Sequence, residues 1–119
     1  MNYWETLHNF VQENKIIIDR PKGSTHPRFS YVIYPLDYGY LENTSTIDGA
    51  GIDIFIGSLD NNIIQGILCS VDGLKKDAEI KILYKCKTDE IQMALDFLNK
   101  GWMRSIFIQN PMVSSAYSA

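Results

Sequence analysis

Apolar residues recur at helical spacing between Tyr3 and Glu13, where Trp4, Leu7 and Val11 share one face, and this pattern predicts a short amphipathic opening helix. Lys15 to Asp19 reads as a strand. Pro21 to Pro27 is turn chemistry, with prolines that cannot join a central ladder, so a loop is expected there. Ile52 to Ile56 and Ile63 to Val71 are β-branched runs bounded by Gly57-Ser58 and Asp72-Gly73. Both read as strands, and Asp60-Asn61-Asn62 turns the chain between them. Alternation is clearest from Ala78 to Cys86, with Ala78, Ile80, Ile82, Tyr84 and Cys86 on one face and Glu79, Lys81, Leu83 and Lys85 on the other. Thr88-Asp89-Glu90 offers an N-cap and first-turn acids, Ile91, Ala94, Leu95 and Leu98 form an apolar stripe, and Lys100-Gly101 is a stop signal, which predicts a second helix. Trp102 and Met103 are expected to cover the core, Ser105 to Gln109 to form a last strand, and Pro111 to Ala119 to be a polar, loosely held tail.

Several short strands with one or two helices predict an α+β fold, a small β-barrel with helices outside. The 119 residues suit a single domain, 1–119, large enough for one core. A hydrophobic fraction of 45% and an aromatic fraction of 12% are those of a globular protein, and no apolar run approaches bilayer length, so no membrane partner is expected. The first residues lack a signal-peptide layout, which makes the cytoplasm the expected location. A net charge of -3 argues against nucleic acid, whose binders need a basic stripe. Cys69 and Cys86 lie in apolar surroundings without a Cys-x-x-Cys pairing and read as reduced thiols. His8 and His26 have no His-x-x-x-His partner to suggest a metal.

The densest chemistry lies between Tyr34 and Asp53: Tyr34-Pro35-Leu36-Asp37-Tyr38-Gly39-Tyr40-Leu41-Glu42, a Thr/Ser loop, then Asp48-Gly49-Ala50-Gly51-Ile52-Asp53. Gly39, Gly49 and Gly51 suit turns that bring carboxylates on either side toward one place. Asp53 interrupts the apolar run Ile52-Ile54-Phe55-Ile56. A carboxylate buried there costs several kcal/mol without a partner, so it should meet a cation, a metal or solvent, unless the strand is an edge and Asp53 faces water. Tyr34, Tyr38 and Tyr40 read by themselves as core aromatics.

This stretch resembles the signature of the soluble inorganic pyrophosphatases, Tyr-Pro-x-x-Tyr-Gly-Tyr followed by Asp-Gly-Asp-Pro-x-Asp, with Asp48 and Asp53 at the first and last aspartates. A second block, Gly66-Ile67-Leu68 and then Asp72-Gly73-Leu74-Lys75-Lys76-Asp77-Ala78, follows the family's Gly-x-Leu and Asp-x-x-x-x-Asp-x-Lys in the right order. The resemblance covers roughly Ile16 to Leu83. It implies an OB-like barrel, hydrolysis of pyrophosphate or another small phosphate compound, and Mg²⁺ as cofactor with Mn²⁺ as the alternative. The family's bacterial members are commonly oligomers, which implies a homo-oligomer.

Hydrolysing an unreactive phosphate anhydride needs charge neutralised on the leaving group and a water made nucleophilic, and metal ions held by aspartates supply both. The resemblance implies Asp48, Asp53, Asp72, Asp77 and Asp19 as metal ligands, Asp19 standing where the family has a glutamate. Lys22, Arg28, Tyr34 and Tyr38 are the implied phosphate contacts, with Asp53, Arg28 and Tyr38 in the catalytic group. Arg28 offers a two-pronged phosphate contact, and the tyrosines offer phenolic hydrogen bonds.

The chain also departs from the pattern. Ala50 stands where the family has its proton-accepting aspartate, a loss usually worth ~10²- to 10⁴-fold in rate. Glu79 stands where its lysine is expected, and Lys81, on the same face one pleat further on, partly compensates. The glutamate that follows the family's early lysine, the one near Arg28, has no counterpart, Ser30 being nearest, and the family's later Tyr-Lys phosphate pair is missing beyond Leu83. The first reading is a Mg²⁺-dependent pyrophosphate hydrolase that uses a metal-activated water, and the alternative, from another class, is a non-catalytic barrel that binds a metal or a small phosphate ligand. A purely structural barrel is the third.

Overall fold

The computed structural model describes residues 1–47 and 49–113. Its elements run α1 (Tyr3–Glu13), β1 (Ile16–Arg20), β2 (Asp37–Leu41), β3 (Asp53–Ile56), β4 (Ile64–Asp72), β5 (Asp77–Tyr84), α2 (Thr88–Phe97) and β6 (Met103–Gln109). The strands form one six-stranded sheet in the order β1-β2-β3-β5-β4-β6. Only β3 and β5 pair in parallel among these neighbours. No pairing joins β1 to β6 among the described residues, so the expected barrel is met as an open α+β sheet with a helix against each face. Neither helix is long and apolar enough to cross a membrane.

Successive strand residues point to opposite faces, and the two faces have separate cores. On one, Leu7 and Val11 of α1 pack with Leu41, Ile54, Ile67, Ile82 and Tyr84. On the other, Ile91, Ala94 and Leu98 of α2 pack with Phe55, Leu68, Leu83 and Cys86. Lys85 takes a left-handed φ of 58°, which breaks the period of β5. Cys86 therefore joins Leu83 on the α2 side, not Ile82 as its place in the alternation suggests.

Asn2 caps α1: its side chain accepts from the Glu5 amide at 2.9 Å, and its own amide donates to the Glu5 carboxylate at 3.3 Å. At α2 the expected Thr88 cap is replaced. Lys87 is the cap residue, and the Glu90 carboxylate reaches back to accept from its amide at 2.9 Å. The same oxygen of Glu90 accepts from Ser58 N at 3.1 Å, which ties the helix start to the end of β3.

Three other expectations change. Gly39 lies inside β2 and not in a turn; a methyl group there would overlap the Ile17 carbonyl of β1, so the strands approach only because Cβ is missing. β3 lies between β2 and β5, so Asp53 is not on an edge. Trp102 is 66% exposed and does not cover the core, whereas Met103 packs against the α2-side cluster. Asp48 and most of the predicted tail, 114–119, lie outside the described residues.

Candidate functional site

The face under α2 becomes polar where β2, β3 and β5 run side by side. Asp53 of β3 has Tyr40 of β2 as one lateral neighbour and Lys81 of β5 as the other. Glu79 precedes Lys81 by two residues and so shares its face. The Lys81 side chain runs beneath this surface, leaving the residue 5% exposed. Its ammonium donates to Asp53 Oδ2 at 2.7 Å, to Glu79 Oε1 at 2.6 Å and to the Tyr38 hydroxyl at 2.9 Å. Those three bonds use every proton that an ammonium can donate.

Two carboxylates around one ammonium leave a formal excess of one negative charge. Burial works against the charged lysine, but the Tyr38 oxygen and the Asp53 carboxylate beside it, with the hydrogen bonds to Asp53 and Glu79, more than offset it and raise the Lys81 pKa. Burial also raises the Tyr38 pKa, so the phenol keeps its proton. Tyr38 is held by ring packing, with centroids 5.5 Å from Tyr34 and 4.7 Å from Phe55; Tyr34 in turn lies 5.0 Å from Phe97 of α2. Of the candidates expected from sequence, this geometry brings Asp53 and Tyr38 together through Lys81.

The other candidates lie elsewhere. Asp72 and Asp77 are cross-strand partners at the hairpin end of the same face, four strand positions from Lys81. Asp72 Oδ1 accepts from the Leu74 and Lys75 amides at 2.9 and 3.1 Å, bonds that lower its pKa and build the turn. Asp19 sits at an irregularity of β1, exposed, with the Arg20 guanidinium 3.9 Å from its carboxylate. Tyr34 is buried in the aromatic stack. Lys22 and Arg28 are exposed on the loop between β1 and β2, held through their backbones: Lys22 N donates to Asp37 Oδ1 at 2.8 Å, and Arg28 N to His26 Nδ1 at 3.0 Å. Among the described residues their side chains make no hydrogen bond or ion pair.

For a divalent ion, the test is whether several hard oxygen donors face one empty point. Here the acceptors of Asp53 and Glu79 face an ammonium, and among the described residues no group of three or more His, Cys, Asp or Glu side chains could hold a metal ion. The arrangement does not fit such an ion at Asp53.

The residues that sequence reasoning undervalued are Glu79 and Lys81. Their shared face was legible from alternation, but Asp53 as their partner depends on the parallel β3–β5 pairing, which no local pattern announces.

A small α+β sheet with a lysine-centred carboxylate cluster on one face is the class that fold and site define. No family model matches the chain. It is 29% identical over 79 residues to the inorganic pyrophosphatase of Halalkalibacterium halodurans and 30% identical over 79 residues to that of Geobacillus stearothermophilus, each time covering 57% of this chain and 48% of the relative. The chain thus spans about half the length of the curated relatives it matches. Its fold is similar to a crystal structure of an inorganic phosphatase from Anaplasma phagocytophilum, with a TM-score of 0.55, 13% identity and coverage of 79% of this chain and 81% of that one. An inorganic pyrophosphatase structure from Coxiella burnetii gives a TM-score of 0.50 at 13% identity and the same coverage. Over those 79 residues the chain is similar to inorganic pyrophosphatases, and its fold is similar to theirs.

Proposed function

We propose that this chain is a pyrophosphatase-like domain that binds a small phosphate compound and does not hydrolyse pyrophosphate through its Asp53 face. The observation that carries this reading is the Lys81 ammonium, hydrogen-bonded at 2.6 to 2.9 Å to Glu79, Asp53 and Tyr38. It neutralises from within Asp53, a carboxylate that the hydrolytic family pattern assigns to metal, together with Glu79, which stands where that pattern has a lysine. Ala50 adds to the argument, since a methyl group cannot take a proton from an attacking water.

Binding would fall to the loop between β1 and β2. Arg28 and Lys22 are exposed there, and a guanidinium can grip two phosphate oxygens at once. Titration calorimetry with pyrophosphate and with inorganic phosphate tests this. Binding that weakens about tenfold or more in a Lys22→Ala/Arg28→Ala variant supports it, on the scale of one or two charge-assisted hydrogen bonds. No binding by the parent chain sinks it.

The second reading is pyrophosphate hydrolysis with Mg²⁺ or Mn²⁺ as cofactor. It is favoured by the 79-residue similarity to proteins named inorganic pyrophosphatase, and by Asp53, Asp72 and Asp77 sharing one sheet face. Both readings take the protein as one cytoplasmic domain, and the family resemblance adds a homo-oligomeric state.

A further inference from the structure

The cluster of Lys81, Asp53, Glu79 and Tyr38 has the makings of a cation site whose cation is part of the chain. An ammonium and a divalent metal ion demand similar surroundings: oxygen acceptors, negative charge and shelter from competing water. Asp53 and Glu79 supply two negative charges, and the Tyr38 phenol supplies a neutral oxygen held in place by its ring neighbours. Side-chain exposure falls from 36% at Glu79 and 24% at Asp53 to 6% at Lys81, so the ammonium is the deepest charge of the set.

We propose that Lys81 is a resident cation: its ammonium occupies the place between Asp53 and Glu79 that a divalent ion would need, the intact chain takes no divalent ion there, and removing the ammonium opens the cluster to one. The inference deepens the lysine-centred reading above and rests on it. Two features carry it. The ammonium is saturated by its three acceptors, so a metal ion could gain those oxygens only by displacing it. Displacement is opposed because the lysine stem is enclosed at 5% exposure. Charge arithmetic points the same way: with Lys81 present the cluster carries one net negative charge, and without it two, which is the match for a divalent ion.

Glu79 then has a definite task. It follows Asp77 by two residues on β5, while the lysine sits one pleat further on, directly beside Asp53. The pair Glu79 and Lys81 is therefore a unit in which one residue adds a carboxylate and the next same-face residue adds the ammonium that closes the cage.

The test is Mn²⁺ titration, followed by calorimetry and by the melting temperature, of the parent chain, Lys81→Met, Lys81→Gln, and each combined with Asp53→Asn. The parent is expected to show no site that Asp53→Asn removes. Lys81→Met or Lys81→Gln is expected to gain one, about tenfold or more tighter than any binding by the parent, with a rise in melting temperature on adding Mn²⁺. Adding Asp53→Asn should remove the gain. An Asp53-dependent Mn²⁺ site in the parent overturns the inference, whatever becomes of the variants, and so does a folded Lys81 variant that gains nothing. Phosphate release measured on the same samples keeps the two readings apart. Asp53-dependent release without an Mn²⁺ site in the parent overturns the proposed function and leaves this inference standing. An Mn²⁺ site without release does the reverse.

Discussion

Lys81 Nζ lies 2.7 Å from Asp53 Oδ2 across the parallel pairing of β3 and β5, with the lysine almost fully enclosed and the aspartate side chain 24% exposed. Removing the buried partner is the harsher change, because it strands two carboxylates that the ammonium holds together. Lys81→Met should cost about 3 kcal/mol, the low end of the range for breaking a buried pair, since Asp53 keeps some water. Asp53→Asn keeps an acceptor and the side-chain volume and should cost about 1.5 kcal/mol. Urea unfolding of the two variants measures both. Equal costs, or a cost under about 0.5 kcal/mol for Lys81→Met, would show that the pair is a surface contact.

Stability should hold from neutral pH to about pH 9 and then fall. Four groups have folded pKa values raised above their ordinary ones: Cys86 from 9.0 to about 12, Tyr3 and Tyr38 from 10.0, and Lys81 from 10.5. For each, the contribution is complete below the unfolded value and fades as pH climbs toward the folded one. Burial is the largest cause for Cys86 and Tyr38; for Lys81 burial opposes a rise driven by its negative neighbours. Melting temperature against pH checks this, and a decline that starts below pH 8 would not come from these groups.

On the acid side the informative residue is Glu90. Burial pushes its pKa up, but the hydrogen bonds from the Lys87 and Ser58 amides prevail and hold it below 4.5. The stability it lends is present above that value and is lost as pH falls through the folded one. Glu90→Ala leaves two backbone donors without their acceptor and should cost about 1 to 3 kcal/mol, while Glu90→Gln keeps an acceptor and should cost less. The Gln variant should also flatten the acid limb of the stability profile.

Gly39→Ala tests why Tyr-Gly-Tyr needs its glycine. The added methyl would meet the backbone carbonyl of Ile17, and neither strand can move without breaking the β1–β2 ladder. A loss of about 3 kcal/mol or more is expected, with Tyr38 freed from its packing. Near-neutral unfolding free energy would mean that β1 can lift away.

Much of the fold was readable because its signals are local. The helix spacing of Trp4, Leu7 and Val11, the alternation through Ile80 and Ile82, and the apolar runs at Ile54 and Ile67 each report burial of a single element. What was not readable depends on neighbours in space. β2 looked like a glycine turn because the reason for Gly39, the closeness of Ile17, lies in another strand. Cys86 left its expected face through one left-handed residue, Lys85. Asp53 was marked in the sequence as a carboxylate in need of a partner, yet choosing between a metal ion and Lys81 required the register of β3 against β5. Asp48 lies outside the described residues, so its expected ligand role rests on the sequence resemblance alone.

Phosphate release from pyrophosphate by the purified protein, with Mg²⁺ and then Mn²⁺, is the most direct test of the central claim, with Asp53→Asn as the control for contaminating enzyme. The parent is expected to release no more phosphate than the variant, because Lys81 already occupies the carboxylate cluster. Turnover in the parent that disappears in Asp53→Asn would contradict it and make hydrolysis the chain's function.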